Sequence, residues 1–195
     1  YQMGGPNELR VYSLTGEPMD SPEQMEIGKV AGLARAGGAD IYFSNNSYLS
    51  MPRWNRFSAE DGSTTRLAIS SESPVDYSDV EVVREFATSK DGTQVPVNIL
   101  MPRGTVRDGS HPILVTGYGG YGLSITPSLS LSRHILFENG VLFAQANLRG
   151  GGEYGEEWHR QGNLTNKQNV FDDFAAVIRH LVERRYAAPD RVAIM

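Results

Sequence analysis

Short runs of apolar and β-branched residues, separated by clusters of Gly, Asn, Asp and Ser, characterise the first 75 residues. Four of these runs predict strands: VYSL at 11–14, KVAGLARA at 29–36, DIYFS at 40–44 and RLAIS at 66–70. Four short strands are the unit of one propeller blade. The pattern therefore predicts a β-rich segment over residues 1–75, interpreted as a propeller blade.

The pattern changes near residue 80, where two long β-type runs follow one another. VEVVREFATS and TQVPVNILMP flank Lys90-Asp91-Gly92. An Asp-Gly pair between two such runs is a strong signal for a hairpin. We therefore predict that an antiparallel hairpin opens a second region, residues 76–195.

Strand and helix patterns alternate after the hairpin. PILVT at 112–116 predicts an apolar strand, SLSRHILFEN predicts a helix that ends at Gly140, and VLFAQAN at 141–147 predicts the next strand. This order is typical of a βαβ unit in a parallel sheet. The second region is therefore predicted to have an α/β fold.

A second glycine run, RGGGEYG at 149–155, precedes the pattern of a long amphipathic helix. Asn169 is the predicted N-cap. Asp172 and Asp173 are predicted in the first turn, where the helix dipole favours anions. RVAIM at 191–195 predicts a further buried strand.

The run GYGGYG at 117–122 permits three interpretations. Gly117, Gly119 and Gly122 satisfy the dinucleotide-binding pattern G-x-G-x-x-G, but the next strand ends in Asn-Leu-Arg without the acid that binds ribose. The glycines could instead only permit positive φ, with the tyrosines filling space. In α/β-hydrolases, a loop in this position supplies a donor to the oxyanion hole. That fold also needs a G-x-S-x-G elbow, which these residues do not contain.

Three other groups of polar residues suggest chemistry. Arg149 with its glycines could form an anion nest, although a structural ion pair with Glu153 or Glu156 is favoured. The neighbouring carboxylates Asp172 and Asp173 are interpreted as helix-capping groups rather than an acid–base pair. Without a nucleophile nearby, His159 is interpreted as structural.

Composition narrows the classes of partner. The net charge is −5 and charges of both signs are interspersed, so no nucleic-acid or membrane partner is predicted. The absence of cysteine excludes disulfides and a cysteine nucleophile, and it fits a cytoplasmic location, with the periplasm as the alternative. The four histidines are too far apart for a compact metal motif, so no metal is predicted. Because it starts on Tyr1 rather than Met, we expect the chain to be a piece of a longer protein.

Three segments resemble the prolyl oligopeptidases, serine peptidases in which a propeller precedes an α/β-hydrolase domain. They are GYGGYGLSITPSLSLSR, ANLRGGGEYGEEWHRQGNLTNKQNVFDDF and DYSDVEVVREFATSKDGTQVPVNILMPRG. The resemblance covers residues 76–195, and residues 1–75 are more weakly similar to the last propeller blade. YGGY and SITPS favour prolyl-specific members over oligopeptidase B, which cuts after basic residues.

The resemblance implies a fold and a function. It implies the N-terminal half of an α/β-hydrolase domain at 76–195, preceded by the end of a propeller at 1–75. The implied activity is hydrolysis of short peptides on the C-terminal side of proline, by Ser-His-Asp acyl transfer without a cofactor. Tyr118 takes the position of the family's oxyanion-stabilising phenol, and Tyr121 that of a substrate-binding aromatic, usually Phe.

The family's serine, aspartate and histidine would all fall after Met195. The chain alone is therefore expected to be inactive, with the remainder of its parent enzyme as a partner alongside the peptide substrate. The alternative is a non-catalytic fragment or pseudoenzyme module that only binds the rest of its parent chain or another partner.

Overall fold

The computed structural model describes residues 1–195, and most of its regular structure is β-sheet. The chain divides into two compact units. The first comprises Tyr1–Asp76 and Thr126–Leu129, and the second comprises Tyr77–Ile125 and Ser130–Met195. No helix is both long enough and apolar enough to cross a bilayer.

The first unit contains a four-stranded antiparallel sheet and a separate two-stranded ribbon. The ribbon pairs β1 with β2, and the sheet has the order β3-β4-β5-β6. The strands are β1 (Val11–Tyr12), β2 (Pro18–Met19), β3 (Gly28–Gly37), β4 (Asp40–Ser47), β5 (Arg53–Phe57) and β6 (Thr64–Ser70).

The membership of this sheet differs from the four predicted strands. VYSL contributes only the two residues of β1, which lie outside the sheet, and the fourth strand is the unpredicted β5. The sequence of β5 is RWNRF, and its polar residues do not fit the apolar pattern from which strands were predicted. It nevertheless pairs with a strand on each side. Trp54 packs against Gly32 of β3, where an added methyl group would lie 2.7 Å from the indole. Contacts across the sheet therefore determine this strand.

The second unit is built on a five-stranded mixed sheet with the order β11-β9-β10-β8-β7. Its elements are β7 (Val80–Thr88), β8 (Gln94–Pro102), β9 (Ile113–Gly117), α1 (Arg133–Glu138), β10 (Leu142–Ala146), α2 (Glu156–Arg160), α3 (Gln168–Glu183) and β11 (Val192–Ile194). Strands β7 and β8 form the predicted hairpin around the Asp91-Gly92 turn. Strands β9 and β10 are parallel and joined through α1, which confirms the predicted βαβ unit.

The core of the second unit lies between the sheet and α3. β8 is buried along most of its length, with Val97 and Ile99 inaccessible to solvent. Val177 and Leu181 of α3 are equally buried and belong to the same apolar cluster. The sheet therefore gives the loops at its edge a rigid support.

The start of α3 differs from the prediction. The helix begins at Gln168 with Lys167 as the N-cap residue, and its first turn contains no acid. Asn169 lies inside the helix, where its Nδ2 donates to the Gln161 carbonyl at 2.8 Å. Asp172 and Asp173 lie one turn further along the helix, so the predicted capping roles of all three residues are wrong. The helix starts early because the 3₁₀ turn at Leu164–Asn166 leads directly into it.

Strand β11 is also less buried than predicted. It forms an edge of the sheet through parallel pairing with β9. Ile194 is 63% exposed and Met195 is 75% exposed. Within residues 1–195, the RVAIM segment therefore forms an exposed edge strand rather than a buried strand.

Candidate functional site

Two glycine-rich loops leave the second sheet at the same edge. We call residues 118–125, which follow β9, the first loop, and residues 147–155, which follow β10, the second loop. Because β9 and β10 are adjacent parallel strands, both loops emerge at their carboxyl ends. This edge is where open α/β sheets bind their ligands.

The two loops pack backbone against backbone. Methyl groups added at Gly150 and Gly152 would lie 2.6 Å from the Gly119 carbonyl oxygen and 2.4 Å from the Gly122 carbonyl oxygen. The Gly122 N–H donates to the Gly150 carbonyl at 3.0 Å. Such close approach leaves no room for a Cβ, so packing requires glycine at both positions, and Gly150 also has a positive φ of 84°.

The dinucleotide interpretation of GYGGYG is wrong. A dinucleotide-binding loop opens directly into a helix, whose N-terminus holds the pyrophosphate. Here the chain continues through a segment without regular structure, and α1 starts only at Arg133. The loop amides therefore do not form the phosphate site that the pattern describes.

Tyr118 and Tyr121 project from the first loop. Tyr118 is 48% exposed and Tyr121 is 88% exposed, and their ring centroids are 6.5 Å apart. Tyr121 has a φ of 55°, which is uncommon for a residue with a side chain and often accompanies function. The glycine packing therefore holds a rigid backbone from which two phenol groups reach outward.

Arg149 of the second loop is buried and fully paired. Its Nε donates to Asp173 Oδ2 at 2.9 Å, and its Nη atoms reach Asp91 and Ser89. Burial opposes the charge, but hydrogen bonds to Asp173 and Asp91 outweigh it and raise the pKa of Arg149. The Arg149 hydrogen bond in turn lowers the pKa of Asp91 to about 2.

The expected structural role of Arg149 is confirmed, but the expected partners, Glu153 and Glu156, are wrong. A guanidinium committed to Asp173, Asp91 and Ser89 has no free edge for an external anion. These partners lie far from Arg149 along the chain, so no local pattern could identify them.

Glu153 is buried in a separate polar network. Its Oε1 accepts a hydrogen bond from the Ile125 N–H at 3.0 Å and one from Asn147 Nδ2 at 3.3 Å. Asn147 Nδ2 also donates to the Ile125 carbonyl at 2.8 Å, and Asn147 Oδ1 accepts from Asn98 Nδ2. Burial raises the pKa of the Glu153 carboxyl. The sequence indicated Glu153 only as a partner of Arg149.

The side chains of His159 and Lys167 contact backbone carbonyls of the two loops. His159 Nδ1 lies 2.8 Å from the Gly150 carbonyl, so this nitrogen carries a proton, and Asn163 Nδ2 lies 3.2 Å from Nε2. Lys167 Nζ donates to the Gly119 carbonyl at 2.7 Å. The contacts of His159 agree with its structural interpretation.

A pocket of about 540 Å³ opens beside the first loop. It is lined by Gly120, Tyr121, Gly150, His159, Gly162, Asn163, Leu164 and Lys167. Tyr121 and Leu164, which both have positive φ and highly exposed side chains, border it. The exposed phenol of Tyr121 therefore lies beside a concave surface of a size that suits a small ligand.

The sequence and the structure both match known peptidases. Residues 127–195 match the family described as the prolyl oligopeptidase family. All of the chain aligns with the prolyl oligopeptidase ophP of Omphalotus olearius at 36% identity, over 27% of that relative. It also aligns with the prolyl endopeptidase of Elizabethkingia miricola at 32% identity, over 28% of that relative.

Two solved structures agree over the whole chain. One, from a study of two prolyl endopeptidases, superposes with a TM-score of 0.87 at 34% identity and is covered to 29%. The other, prolyl oligopeptidase B from Galerina marginata bound to a 35mer substrate, gives a TM-score of 0.85 at 30% identity and is covered to 28%.

The chain spans less than a third of the length of these relatives. The matches nevertheless include both units of the chain, and family, relatives and structures all agree. The chain belongs to the prolyl oligopeptidase family.

Proposed function

We propose that this chain is part of a serine endopeptidase that hydrolyses short peptides on the C-terminal side of proline. Residues 1–75 correspond in this proposal to the last blade region of a propeller. Residues 76–195 correspond to the N-terminal half of an α/β-hydrolase domain. The antiparallel order β3-β4-β5-β6 supports the first assignment, and the hairpin followed by the βαβ unit supports the second.

The observation that carries this proposal is the position of Tyr118. Its half-exposed phenol stands at the carboxyl edge of the parallel strands, on a loop whose backbone is fixed by glycine packing. Preorganised donors of this kind stabilise the negative oxygen that forms when a nucleophile attacks a peptide carbonyl. Tyr118 is therefore proposed as one donor of the oxyanion hole.

The rest of the reaction needs groups from the parent polypeptide. A serine attacks the carbonyl, a histidine takes its proton and returns it to the leaving amine, and an aspartate orients the histidine; water, deprotonated by the same histidine, then attacks the acyl-serine ester and releases the serine. A backbone N–H beside the serine would be the second oxyanion donor. These side chains perform the acyl transfer without a cofactor.

Tyr121 is proposed to contact the substrate. Its exposed ring borders the pocket and lies close to Tyr118, so a peptide held by one phenol also meets the other. A planar aromatic side chain provides a large apolar surface against which a proline ring can pack. The hydroxyl of Tyr121 would then adjust, but not create, this contact.

The alternative is a non-catalytic module that binds the rest of its chain or another partner. The observation in its favour is β11, an exposed edge strand with Ile194 and Met195 uncovered. Unpaired strand edges are templates for pairing with another segment. Such an edge is equally expected where further strands of a peptidase domain are added.

The parent polypeptide, expressed with the residues that follow Met195 in its gene, distinguishes the two. We expect it to react with a fluorophosphonate probe and to cleave a fluorogenic peptide after proline. The matched peptide with arginine in place of proline should be cleaved far more slowly. A polypeptide that neither reacts with the probe nor cleaves either peptide would support the non-catalytic module, and preference for arginine would overturn the proline specificity.

A further inference from the structure

Ile125, at the end of the first loop, has both of its backbone groups held by buried side chains. Its N–H donates to Glu153 Oε1 at 3.0 Å, and its carbonyl accepts from Asn147 Nδ2 at 2.8 Å. Both side chains belong to the second loop and are almost inaccessible to solvent. The other end of the first loop is anchored by Gly117, which pairs with Ala146 in the sheet. Tyr118 and Tyr121 thus lie on a segment fixed at both ends.

Burial of the Glu153 carboxyl at this position costs free energy. It is 1% exposed, and its Oε2 has no hydrogen-bond partner. A buried polar atom without a partner destabilises a fold, and an apolar side chain of the same size would remove this cost only by leaving the Ile125 N–H without its acceptor. Packing alone therefore does not account for a glutamate here.

The neighbouring glycine leaves room for this arrangement. A methyl group added at Gly151 would lie 2.0 Å from Glu153 Oε2, and one added at Gly152 would meet the Gly122 carbonyl and Ser124 Oγ. The second loop can therefore fold its glutamate back under the first loop only because its glycines have no side chains. The glycine run and Glu153 form one structural unit that packs against the first loop.

We infer that Glu153 is a positioning residue for Tyr118. Through the Ile125 N–H, it fixes the end of the first loop and so the place of the Tyr118 phenol at the oxyanion site. A misplacement of catalytic groups by about 1 Å costs up to about 10²-fold in rate. This inference rests on the proposed function, because it assumes that Tyr118 acts on the oxyanion.

The first test compares three substitutions at Glu153 in the parent enzyme, with rates normalised to active sites titrated by the fluorophosphonate probe. Glu153→Gln keeps an acceptor for the Ile125 N–H, so its kcat should stay within about twofold of the parent. Glu153→Ala removes the acceptor and should lower kcat by about 10-fold or more, with KM little changed. Glu153→Asp withdraws the carboxyl by one methylene and should also lower kcat. It serves as the test if the alanine variant does not fold.

A residue that only stabilised the fold would reduce the number of active sites and the melting temperature without changing kcat per active site. The inference would therefore be overturned if Glu153→Ala and Glu153→Asp both kept the full kcat of the parent. If the alanine variant does not fold, full kcat in Glu153→Asp alone would overturn it. Asp91→Ala is the matched control. It removes a partner of Arg149 that does not touch the first loop, and it should leave kcat unchanged.

The second test is a double-mutant cycle with Tyr118→Phe. If Glu153 acts through the Tyr118 hydroxyl, Glu153→Ala, or Glu153→Asp in its place, should reduce kcat much less in the Tyr118→Phe background than in the parent. Additive losses would show that Glu153 acts elsewhere and would overturn the inference. If Tyr118→Phe itself leaves kcat unchanged, the oxyanion proposal fails instead, so the two failures are distinguishable.

Discussion

Arg149 and Asp173 form an ion pair in which both side chains are buried, at 2% and 0% exposure. Arg149 Nε lies 2.9 Å from Asp173 Oδ2, and the Arg149 backbone N–H donates to the same oxygen at 3.1 Å. Ser89 Oγ donates to Asp173 Oδ1 at 2.6 Å. Asp173 therefore attaches the second loop to α3 and the β7–β8 hairpin at a single buried point.

Removing one member of this pair should be costly. Asp173→Ala leaves a buried guanidinium without its main counter-charge, and breaking such a pair typically costs about 3–5 kcal/mol of unfolding free energy. The control is Asp91→Ala. Asp91 is 46% exposed, so solvent screens its pairing with Arg149 and the expected cost is about 1 kcal/mol or less.

Urea unfolding followed by tryptophan fluorescence measures both variants. In the 195-residue chain, a Trp54→Phe background leaves Trp158, which is buried in the second unit, as the only tryptophan that reports unfolding. Equal losses for Asp173→Ala and Asp91→Ala would contradict the assignment of Asp173 as the principal partner.

The packing of the two loops predicts a contrast between two glycines of similar conformation. Gly119 has a φ of 58°, and an added methyl group would lie 2.5 Å from Val170 Cγ1. Gly140 has a φ of 69° with no atom within 4 Å of an added methyl group. Gly140→Ala should therefore show only the backbone strain, about 1–2 kcal/mol. Gly119→Ala adds overpacking and should cost roughly 2–5 kcal/mol.

The same unfolding assay measures this contrast. The two alanine variants differ in their surroundings rather than in φ, so a difference in unfolding free energy reports loop packing. Similar costs at Gly119 and Gly140 would show that the loops separate easily, against the close approach described above.

Glu153 should make stability depend on pH. Because burial raises its pKa, the folded chain holds this proton more tightly than the unfolded chain. Its contribution to stability is therefore full below the ordinary glutamate pKa of about 4.3 and falls as pH rises through the raised pKa. Glutamine has no such proton to lose. Glu153→Gln should therefore gain stability relative to the parent as pH rises above about 4.3.

Chemical unfolding of the two proteins across this range measures the effect. A stability difference that stays constant with pH would mean that Glu153 titrates in the folded chain as it does in the unfolded chain.

The elements of the second unit could be predicted where turn residues and apolar runs close together in the sequence indicate the same structure. The Asp91-Gly92 turn predicts the β7–β8 hairpin because positive φ at glycine suits a tight turn, and Gly92 has a φ of 90°. The apolar runs of β9 and β10 predict parallel strands because a helix pattern lies between them. In the first unit, β5 was not predictable, since its fit depends on pairing with two neighbours rather than on its own composition.

The partners at the candidate site required the structure. Asn169 and the two aspartates have capping chemistry, but the 3₁₀ turn before α3 moves the helix start and directs Asp173 into the core. Whether Arg149 pairs with Glu153 or with Asp173 depends on which residues, distant along the chain, the fold brings together. Local spacing favours the nearer glutamate, whereas the fold turns that glutamate toward Ile125 instead.

Substitutions at Tyr121 should act mainly on substrate binding in the parent enzyme. Tyr121→Phe keeps the exposed ring beside the pocket, so KM for a proline-containing peptide should change by about twofold or less. Tyr121→Ala removes the ring and should raise KM by about 10-fold, equivalent to about 1.4 kcal/mol, with a small change in kcat. Steady-state kinetics measure both. A large loss of kcat in Tyr121→Phe would mean that its hydroxyl, and not that of Tyr118, serves the reaction.

The most direct test of the account is the kcat of Tyr118→Phe in the parent enzyme on a proline-containing peptide. The substitution keeps the ring and deletes only the donor, so folding stability should change little. Loss of one oxyanion donor typically lowers kcat by about 10²–10³-fold, or roughly 3–4 kcal/mol, because the hydrogen bond strengthens as charge develops. We predict that loss, with KM nearly unchanged. Turnover close to the parent rate would mean that GYGGYG is only a turn and that Tyr118 has no part in catalysis.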